Sequence, residues 1–301
     1  MSMDMGALPN LGAGLGYREA WRSDLFLSPE EVDFLEITAD HFLDAPPEKL
    51  RELDLLLDHF TLIPHGLNLS LGSAEGLDAA YLEQLAWLVG RANPPWWSEH
   101  IAFTKAGGVR IGHLAPLPFS REALDVLEHN IAVAQERIPV PLLLENITYQ
   151  VELPGAEMSE AAFLNELLDR TGCGLLLDVT NLFTNAVNQG QSAHDFLDEL
   201  RLDRVAQLHF AGGHFDPEKR LIDSHAHPAP PEVWSLLEEV VRRSNVKGII
   251  LERDENLPPF AEIALETSRA RRIMELARSP VAGELAGFRM GRNRRAPARI
   301  A

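Results

Sequence analysis

Cysteine is nearly absent from this sequence, which has only Cys173 among 301 residues. One cysteine cannot form an internal disulfide, and it excludes a zinc site built from several cysteines. Cys173 stands just before the apolar run GLLLD, and we interpret it as a small buried residue of the core. Any metal site in this chain would therefore need other ligands.

Long hydrophobic runs are also missing. No apolar segment reaches the roughly 20 residues that a membrane-spanning helix needs. The first residues, MSMDMGALPN, have neither the basic start nor the apolar stretch of a secretory signal peptide. The hydrophobic fraction of 46% is nevertheless ordinary for a globular protein with a large core. We expect a cytoplasmic protein that does not contact membranes.

Positive charge is scarce, with 27 Lys and Arg residues against 45 Asp and Glu residues and a formal net charge of −18. Such a charge repels nucleic acids and anionic membranes, so we expect neither as a partner. The exception is GFRMGRNRRAPARIA (287–301), which has five arginines and no acidic residue. We interpret 279–301 as a flexible Arg-rich tail. The alternative is an arm that docks an acidic partner or peptide.

Eight short apolar runs alternate with amphipathic stretches up to residue 278. Near-continuous apolar runs are typical of parallel strands buried on both faces, and apolar residues at three- and four-residue spacing are typical of helices. Prolines and serines mark helix starts at Pro46–Pro47, Ser120, Ser159 and Pro230–Pro231. Eight strand–helix units predict an α/β fold, a closed (β/α)8 TIM barrel, as a single domain over residues 1–278. The expected strands are 11–18, 33–38, 62–70, 96–103, 141–148, 174–181, 204–212 and 248–254.

The segment GAGLG (12–16) is similar to part of a dinucleotide-binding fingerprint. The full pattern needs a third glycine at position 17, which is Tyr17, and no clear helix follows. We therefore reject a nicotinamide site and interpret the glycines as part of a tightly packed barrel strand.

Polar side chains follow the apolar part of six consecutive predicted strands, the third to the eighth. In such a barrel the C-terminal ends of the strands converge on one rim, where the catalytic groups of known barrels lie. A buried carboxylate or imidazole without a partner is costly, so six occurrences in order indicate a shared site. The residues are His65; Glu99 and His100; Glu145 and Asn146; Asp178 and Asn181; His209, with Asp223, His225 and His227 in the loop after the seventh strand; and Glu252 and Asp254.

Histidine and carboxylate ligands without cysteine suit iron, manganese or zinc, and carboxylates can bridge several ions. This many ligands would over-supply a single ion, so we infer two or three ions. The alternative is an acid–base site without metal, in which clustered carboxylates would repel one another and raise each other's pKa. Glu36, at the end of the second predicted strand, stays open as a rim residue. His214 and His227 are weaker candidates than His209 and His225, because loop histidines are often simply solvated.

Several motifs resemble, in order and spacing, those of the multinuclear non-haem iron-dependent oxidative enzymes, a family that includes the iron enzyme of methanobactin biosynthesis. The motifs are HGLNLSLGS, SEH, LLLENIT, LLLDVTN, LHFAGGH, DSHAHP and LERDENLP. The resemblance runs from about Gly14 to about Arg278 and implies a xylose-isomerase-like TIM barrel.

The resemblance implies two or three iron ions, in mixed Fe(II) and Fe(III) states, with O2 as a co-substrate. Some family members have a histidine where this chain has Asn181, whose amide oxygen binds iron more weakly, and this bears on whether the chain holds two irons or three. Glu99, Asn146 and His214 are implied to orient the ligands or shuttle protons. The implied metal ligands are His65, His100, Glu145, Asp178, Asn181, His209, Asp223, His225 and Glu252.

The resemblance further implies an oxidoreductase that modifies a residue, foremost a cysteine, of a ribosomally synthesised precursor peptide in natural-product biosynthesis. Family members usually need a second protein that recognises the leader peptide, so we expect such a partner. Two other functions stay open. One is a metal-dependent hydrolase or isomerase on a TIM barrel, although the H-x-H pair of DSHAHP follows the seventh strand rather than the first. The other is a non-catalytic peptide-binding barrel.

Overall fold

The computed structural model describes residues 4–151 and 153–279. Its strands are β1 (Gly12–Gly16), β2 (Leu35–Thr38), β3 (Leu62–Gly66), β4 (Trp97–His100), β5 (Phe103–Ala106), β6 (Val109–Ala115), β7 (Leu142–Glu145), β8 (Gly174–Asp178), β9 (Val205–Phe210), β10 (Gly212–Phe215), β11 (Leu221–His227) and β12 (Gly248–Leu251). Its helices are α1 (Arg22–Leu27), α2 (Pro47–Leu57), α3 (Ala79–Ala92), α4 (Arg121–Arg137), α5 (Glu160–Thr171), α6 (Val179–Gln189), α7 (Ala193–Glu199), α8 (Pro231–Arg243) and α9 (Phe260–Arg278).

Eight of these strands form a closed barrel in the order β1-β2-β3-β4-β7-β8-β9-β12, and all neighbouring strands are parallel. The first and last barrel strands close the ring, with Gly12 opposite Gly248. The predicted TIM barrel is confirmed, and each of the eight predicted strands contains one barrel strand.

The helices begin where the sequence indicated. Ser120 and Ser159 cap α4 and α5, because each hydroxyl accepts a backbone N–H from the first turn of its helix. Pro46 and Pro230 directly precede α2 and α8, and neither helix has a side-chain cap. The helices pack their apolar faces against the barrel wall and form the larger part of the hydrophobic core.

The tight packing expected for GAGLG is seen in β1. A Cβ atom on Gly14 would lie 2.5 Å from the carbonyl oxygen of Phe34 and 2.9 Å from Cδ1 of Ile250. Both distances are too short for any side chain, so glycine is required where the barrel wall approaches the interior.

The barrel interior has an apolar layer below a polar one. Alternate residues of a strand face the same side, so the residue two positions after an inward apolar residue also faces inward. The apolar layer is Leu8, Phe34, Ile63, Trp96, Leu143, Leu176, Ala206 and Ile250. Two positions later the chain has His65 after Ile63, Glu145 after Leu143, Asp178 after Leu176 and Glu252 after Ile250.

Two antiparallel hairpins, β5–β6 and β10–β11, extend beyond the C-terminal rim of the barrel. The expectation of a plain loop after the seventh strand is wrong, because Gly212 pairs with His227 and Phe215 pairs with Leu221 across the second hairpin. The expected Arg-rich tail lies, from residue 280 onward, outside the described residues. Within the described ranges, no helix combines the length and the apolar character needed to cross a membrane.

Candidate metal centre

The polar side chains at the C-terminal rim meet in one group, because parallel strands end at the same side of a barrel. Most of the expected ligands lie within barrel strands, and their side chains are almost completely buried. They are His65 on β3, His100 on β4, Glu145 on β7, Asp178 on β8 and His209 on β9, with Glu252 directly after β12.

The first cluster consists of His65, His100 and Glu145, whose ligand atoms all lie within 4.8 Å of one another. The Nε2 atoms of both histidines lie 3.2 Å from Glu145 Oε2. The two rings contact each other at 4.6 Å between centroids. Two imidazole nitrogens and one carboxylate oxygen thus converge on one point.

The second cluster consists of Glu145, Asp178, His209 and Glu252, again with ligand atoms within 4.8 Å of one another. His209 Nδ1 lies 3.2 Å from Glu145 Oε1 and 3.2 Å from Glu252 Oε2. Glu145 therefore directs one carboxylate oxygen to each cluster. A carboxylate in this position can bridge two metal ions.

The β10–β11 hairpin brings two further expected ligands, Asp223 and His225, next to these clusters. His225 Nε2 lies 2.8 Å from Asp223 Oδ1, and its Nδ1 lies 3.4 Å from Glu252 Oε2. The backbone of His225 has φ +49°, a left-handed conformation that is uncommon outside glycine and recurs at functional sites. Asn181, in the first turn of α6, lines the cavity that opens from these clusters to the surface.

Several atoms of this group are buried and have no hydrogen-bond partner. Leaving such an atom unpartnered costs about 1–3 kcal/mol, so a folded protein rarely keeps several together without a ligand. Each of these side chains offers a lone pair, which neutral His225 carries on one of its two ring nitrogens, and mixed imidazole, carboxylate and amide donors suit iron, manganese or zinc. The donor set therefore fits more than one divalent cation. The atoms are Glu145 Oε2, Asp178 Oδ2, Asn181 Oδ1, His209 Nδ1, Asp223 Oδ1 and both ring nitrogens of His225.

Two of the histidines are held by their second ring nitrogen. His65 Nδ1 lies 2.8 Å from Ser98 Oγ, and His100 Nδ1 lies 3.0 Å from the carbonyl oxygen of Gly66. A carbonyl can only accept, so His100 donates from Nδ1 and keeps a lone pair on Nε2, which faces Glu145. Metal-binding histidines are commonly held in this way.

Glu99 and Asn146, expected to support the ligands, both contact them. Glu99 accepts the backbone N–H of His100. Asn146 Oδ1 accepts the backbone N–H of Asp178, and the Asn146 carbonyl accepts a hydrogen bond from Asn181 Nδ2. That last bond uses the amide nitrogen of Asn181 and leaves its oxygen for the cavity.

Asp178 also caps α6. Its Oδ1 accepts the backbone N–H groups of Thr180 and Asn181, at 2.6 and 2.9 Å. The cap fixes the carboxylate and leaves Oδ2 directed at the second cluster. One residue thus starts a helix and supplies a metal-facing oxygen.

Burial and charge act on the pKa values of this group in opposite directions. Burial lowers the pKa of His100, but the charges of Glu145 and Glu99, together with the hydrogen bonds to Glu99 and to the Gly66 carbonyl, outweigh it and raise that pKa to about 9. Burial raises the pKa of Glu145, but three neighbouring histidines outweigh it and lower that pKa to about 2. Burial, followed by the charge of Asp223, raises the pKa of Asp178 to about 7. Without metal, protons on this group offset the negative charge of the clustered carboxylates. Bound metal ions would offset that charge more strongly.

His214 is not brought to the centre. Its side chain is exposed on β10, with Nδ1 3.1 Å from Ser224 Oγ and its ring 5.6 Å from that of His227. Ser98, Gln207 and Glu36 contact the histidines, although the sequence analysis gave none of them a definite role.

A cavity of about 560 Å3 opens from the cluster to the surface. A second cavity of about 430 Å3 adjoins it and shares His113, Leu114, Thr148 and Asp223. The second cavity runs between the ends of the two hairpins and past Val151. The buried cluster is thus reached through an elongated opening.

A family model for the RiPP precursor modification enzyme MbnB/TglH/ChrH matches residues 12–275. A UPF0276 protein of Streptomyces avermitilis is 40% identical over 281 residues, which is 90% of this chain and 56% of that protein, so the chain spans little more than half of that relative's length. A UPF0276 protein of Caulobacter vibrioides is 36% identical over 261 residues, or 86% of this chain and 93% of that protein.

Solved structures with the same fold are sugar epimerases of low sequence identity. D-Psicose 3-epimerase from Clostridium cellulolyticum H10 is 11% identical with a TM-score of 0.51, covering 87% of this chain and 92% of that chain. The 3-keto-D-glucoside 4-epimerase YcjR from E. coli is 13% identical with a TM-score of 0.51, covering 86% and 98%. At such identities the likeness shows the fold alone.

Proposed function

Because the chain belongs to the RiPP precursor modification enzyme family MbnB/TglH/ChrH, we propose that it is an iron-dependent oxidoreductase acting on a ribosomally synthesised precursor peptide. The reaction would use O2 to oxidise one residue of that peptide, foremost a cysteine. A separate protein that recognises the leader peptide, and a cytoplasmic location, belong to the same proposal.

The position of Glu145 is the observation that carries this proposal. Its Oε2 lies 3.2 Å from two histidine nitrogens of the first cluster, and its Oε1 lies 3.2 Å from one histidine nitrogen of the second. A shared carboxylate holds two ions close enough to act on one substrate. Two-metal hydrolases share a carboxylate in the same way, so the choice of peptide oxidation over hydrolysis rests on the family.

The residues divide among the ions as follows. His65, His100 and Glu145 would hold one ion. A second ion would lie among Glu145, Asp178, His209 and Glu252. A third position is offered by Asn181, Asp223 and His225. Iron bound at these positions would supply the electron transfer to O2 that an oxidation requires.

The protein itself contributes binding and exclusion of water. The two adjoining cavities each fall in the roughly 300–1,000 Å3 range of small-molecule sites, so together they have room for more than one amino-acid residue. Leu114 lies where they join, and Pro116 and Leu153 line the outer one. We propose that the target residue enters the inner cavity while its neighbours along the peptide occupy the outer one.

The test is turnover of a peptide by the iron-loaded protein. The protein would be purified without oxygen, loaded with Fe(II) and mixed with the short peptide encoded beside its gene, and the peptide mass would be followed after O2 is added. We expect a mass change that requires iron, O2 and the target cysteine. A peptide with serine in place of that cysteine is the matched control.

Two results would count against the proposal. One is an unchanged peptide in the presence of fully iron-loaded protein and any partner encoded nearby. The other is a zinc-loaded, colourless protein that hydrolyses amides or epimerises ketoses, which would support the metal-dependent hydrolase or isomerase instead.

A further inference from the structure

Beneath the second cluster, His209 is held by three buried side chains that lie deeper in the barrel. Trp96 Nε1 lies 2.7 Å from Gln207 Oε1, and Gln207 Nε2 lies 2.6 Å from Glu36 Oε2. The other oxygen of Glu36 lies 2.8 Å from His209 Nε2. Trp96, Gln207 and His209 are completely buried and Glu36 is 3% exposed, so water is excluded from these contacts.

The directions of the first two hydrogen bonds in this chain follow from Trp96, and the third follows from Glu36. An indole N–H can only donate, so it fixes the Gln207 amide with its oxygen toward Trp96. The amide nitrogen of Gln207 then donates to Glu36. Gln207 Nε2 also lies 3.0 Å from His209 Nε2, but Glu36 Oε1 is closer to that nitrogen, at 2.8 Å, and a carboxylate can only accept. His209 therefore carries its proton on Nε2 and donates it to Glu36.

The other nitrogen of His209 faces the metal cluster. Nδ1 lies 3.2 Å from Glu145 Oε1 and 3.2 Å from Glu252 Oε2 and has no hydrogen-bond partner. A nitrogen lone pair and two carboxylates are compatible only when a cation lies between them. In the metal-free protein a second proton on His209 can take that place.

We propose that Trp96, Gln207 and Glu36 form a positioning chain that fixes the tautomer of His209, so that Nδ1 is the metal-binding nitrogen. None of the three contacts the ions, and each acts through its neighbour. The inference rests on the proposed function only in requiring that the second cluster binds a metal ion. It does not depend on O2, on iron or on the peptide.

The single variant E36Q reverses the order of donors and acceptors. The new amide accepts from Gln207 through its oxygen and presents its NH2 group to His209 Nε2. His209 then accepts there and carries its proton on Nδ1, where it blocks the metal ion. We expect E36Q to bind Zn(II) at the second cluster 10- to 100-fold more weakly than the wild type.

The double variant E36Q/Q207E exchanges the carboxylate and the amide and again places a hydrogen-bond acceptor opposite His209 Nε2. The new carboxylate accepts from Trp96 and from the new amide, whose oxygen accepts from His209 Nε2. We expect wild-type Zn(II) affinity to return, which a role of Glu36 in packing alone would not produce. The position of the His209 proton separates a fixed tautomer from a simple effect of charge, because the carboxylate at position 207 also lies near His209. E52Q is the matched control, because Glu52 is another buried carboxylate, held by Tyr17 and Lys49 and absent from the metal clusters.

The measurements are chelator competition for Zn(II) and proton–nitrogen NMR of the 15N-histidine-labelled, zinc-loaded proteins. A slowly exchanging proton on Nε2 should be present in the wild type and the double variant and absent in E36Q. Unchanged affinity in E36Q, or a folded double variant that binds no better than E36Q, would overturn the positioning chain. If Zn(II) affinities change as expected but the iron-loaded wild type does not oxidise the peptide, the positioning chain stands and the proposed function fails.

Discussion

His225 Nδ1 lies 3.3 Å from Asp254 Oδ2, which joins the β10–β11 hairpin to the segment after the last barrel strand. The backbone N–H of Asp254 also donates to the carbonyl of His225, at 3.0 Å. The other carboxylate oxygen of Asp254 pairs with Arg18, beside β1. The hairpin is therefore fixed over the metal centre by contacts on both sides of the barrel closure.

Replacing Asp254 by asparagine tests this connection. We expect D254N to lower the affinity for the ion beside Asp223 and His225 about 10-fold, because the histidine loses the carboxylate that orients its ring. Stepwise metal titration with chelator competition separates this ion from the one at His65 and His100, which should be unaffected. D198N, at an exposed aspartate paired with Arg243, serves as the control.

The bridging role of Glu145 predicts an effect on two ions at once. We expect E145A to lose the ions of both clusters, whereas H65A should lose only the first. Elemental analysis and native mass spectrometry of proteins loaded under identical conditions would count the ions per chain. An E145A protein that keeps the wild-type count would contradict the bridge.

Asn181 is expected to limit the affinity of the third position for a metal ion. Its Nδ2 donates to the Asn146 carbonyl and its Oδ1 faces the cavity. A histidine could donate to the same carbonyl through Nδ1 and present Nε2 to the ion. We expect N181H to raise affinity at this position about 10-fold, because imidazole binds iron more strongly than an amide oxygen. N181A should lower the occupancy instead, and equal iron binding by all three proteins would disprove the assignment.

His214 is a residue whose replacement should leave metal binding and turnover nearly unchanged. Its exposed side chain contacts Ser224 and lines neither of the two cavities that lead to the centre. We expect H214A to keep its metal content and to retain turnover within about twofold of the wild type, as surface changes usually do. A loss of turnover tenfold or greater would return His214 to the group of proton-transferring residues.

Glu160 links the stability of the fold to pH. Burial raises the pKa of its carboxyl from 4.5 to about 7, and the hydrogen bond from the Tyr149 hydroxyl offsets only part of that rise. A carboxyl with a raised pKa destabilises the folded state progressively as pH increases from about 4.5 to about 7. We expect E160Q, which stays neutral, to be more stable than the wild type by roughly 1–3 kcal/mol above pH 7. Urea unfolding at pH 4.5 and pH 8 would check this, since the two proteins should be nearly equal at the lower pH.

The sequence was sufficient to predict the barrel and the convergence of the polar side chains at the strand ends. Each barrel strand is an apolar run, and His65, Glu145 and Asp178 interrupt such runs where a buried polar group demands a partner. Gln207 was also detectable, because it stands two positions before His209 and so shares its inward face.

Other contacts join parts of the barrel that are not neighbours, and the hydrophobic periodicity of the sequence does not predict them. Glu36 reaches His209 across the barrel interior, since β2 and β9 are not neighbouring strands. The left-handed backbone of His225 and the pairing of its hairpin depend on how the segment packs over the rim. The exposed position of His214 likewise follows from the hairpin rather than from its motif.

Closure of the barrel between β1 and β12 determines when the centre can load. The second cluster is complete only with Glu252, which directly follows β12, so its donors become neighbours after the ring has closed. A chain that still lacks β12 would offer the first cluster, on the neighbouring strands β3, β4 and β7, but would lack one carboxylate of the second. Full metal loading would therefore be the last step in maturation, after the final strand has been synthesised and the ring has closed.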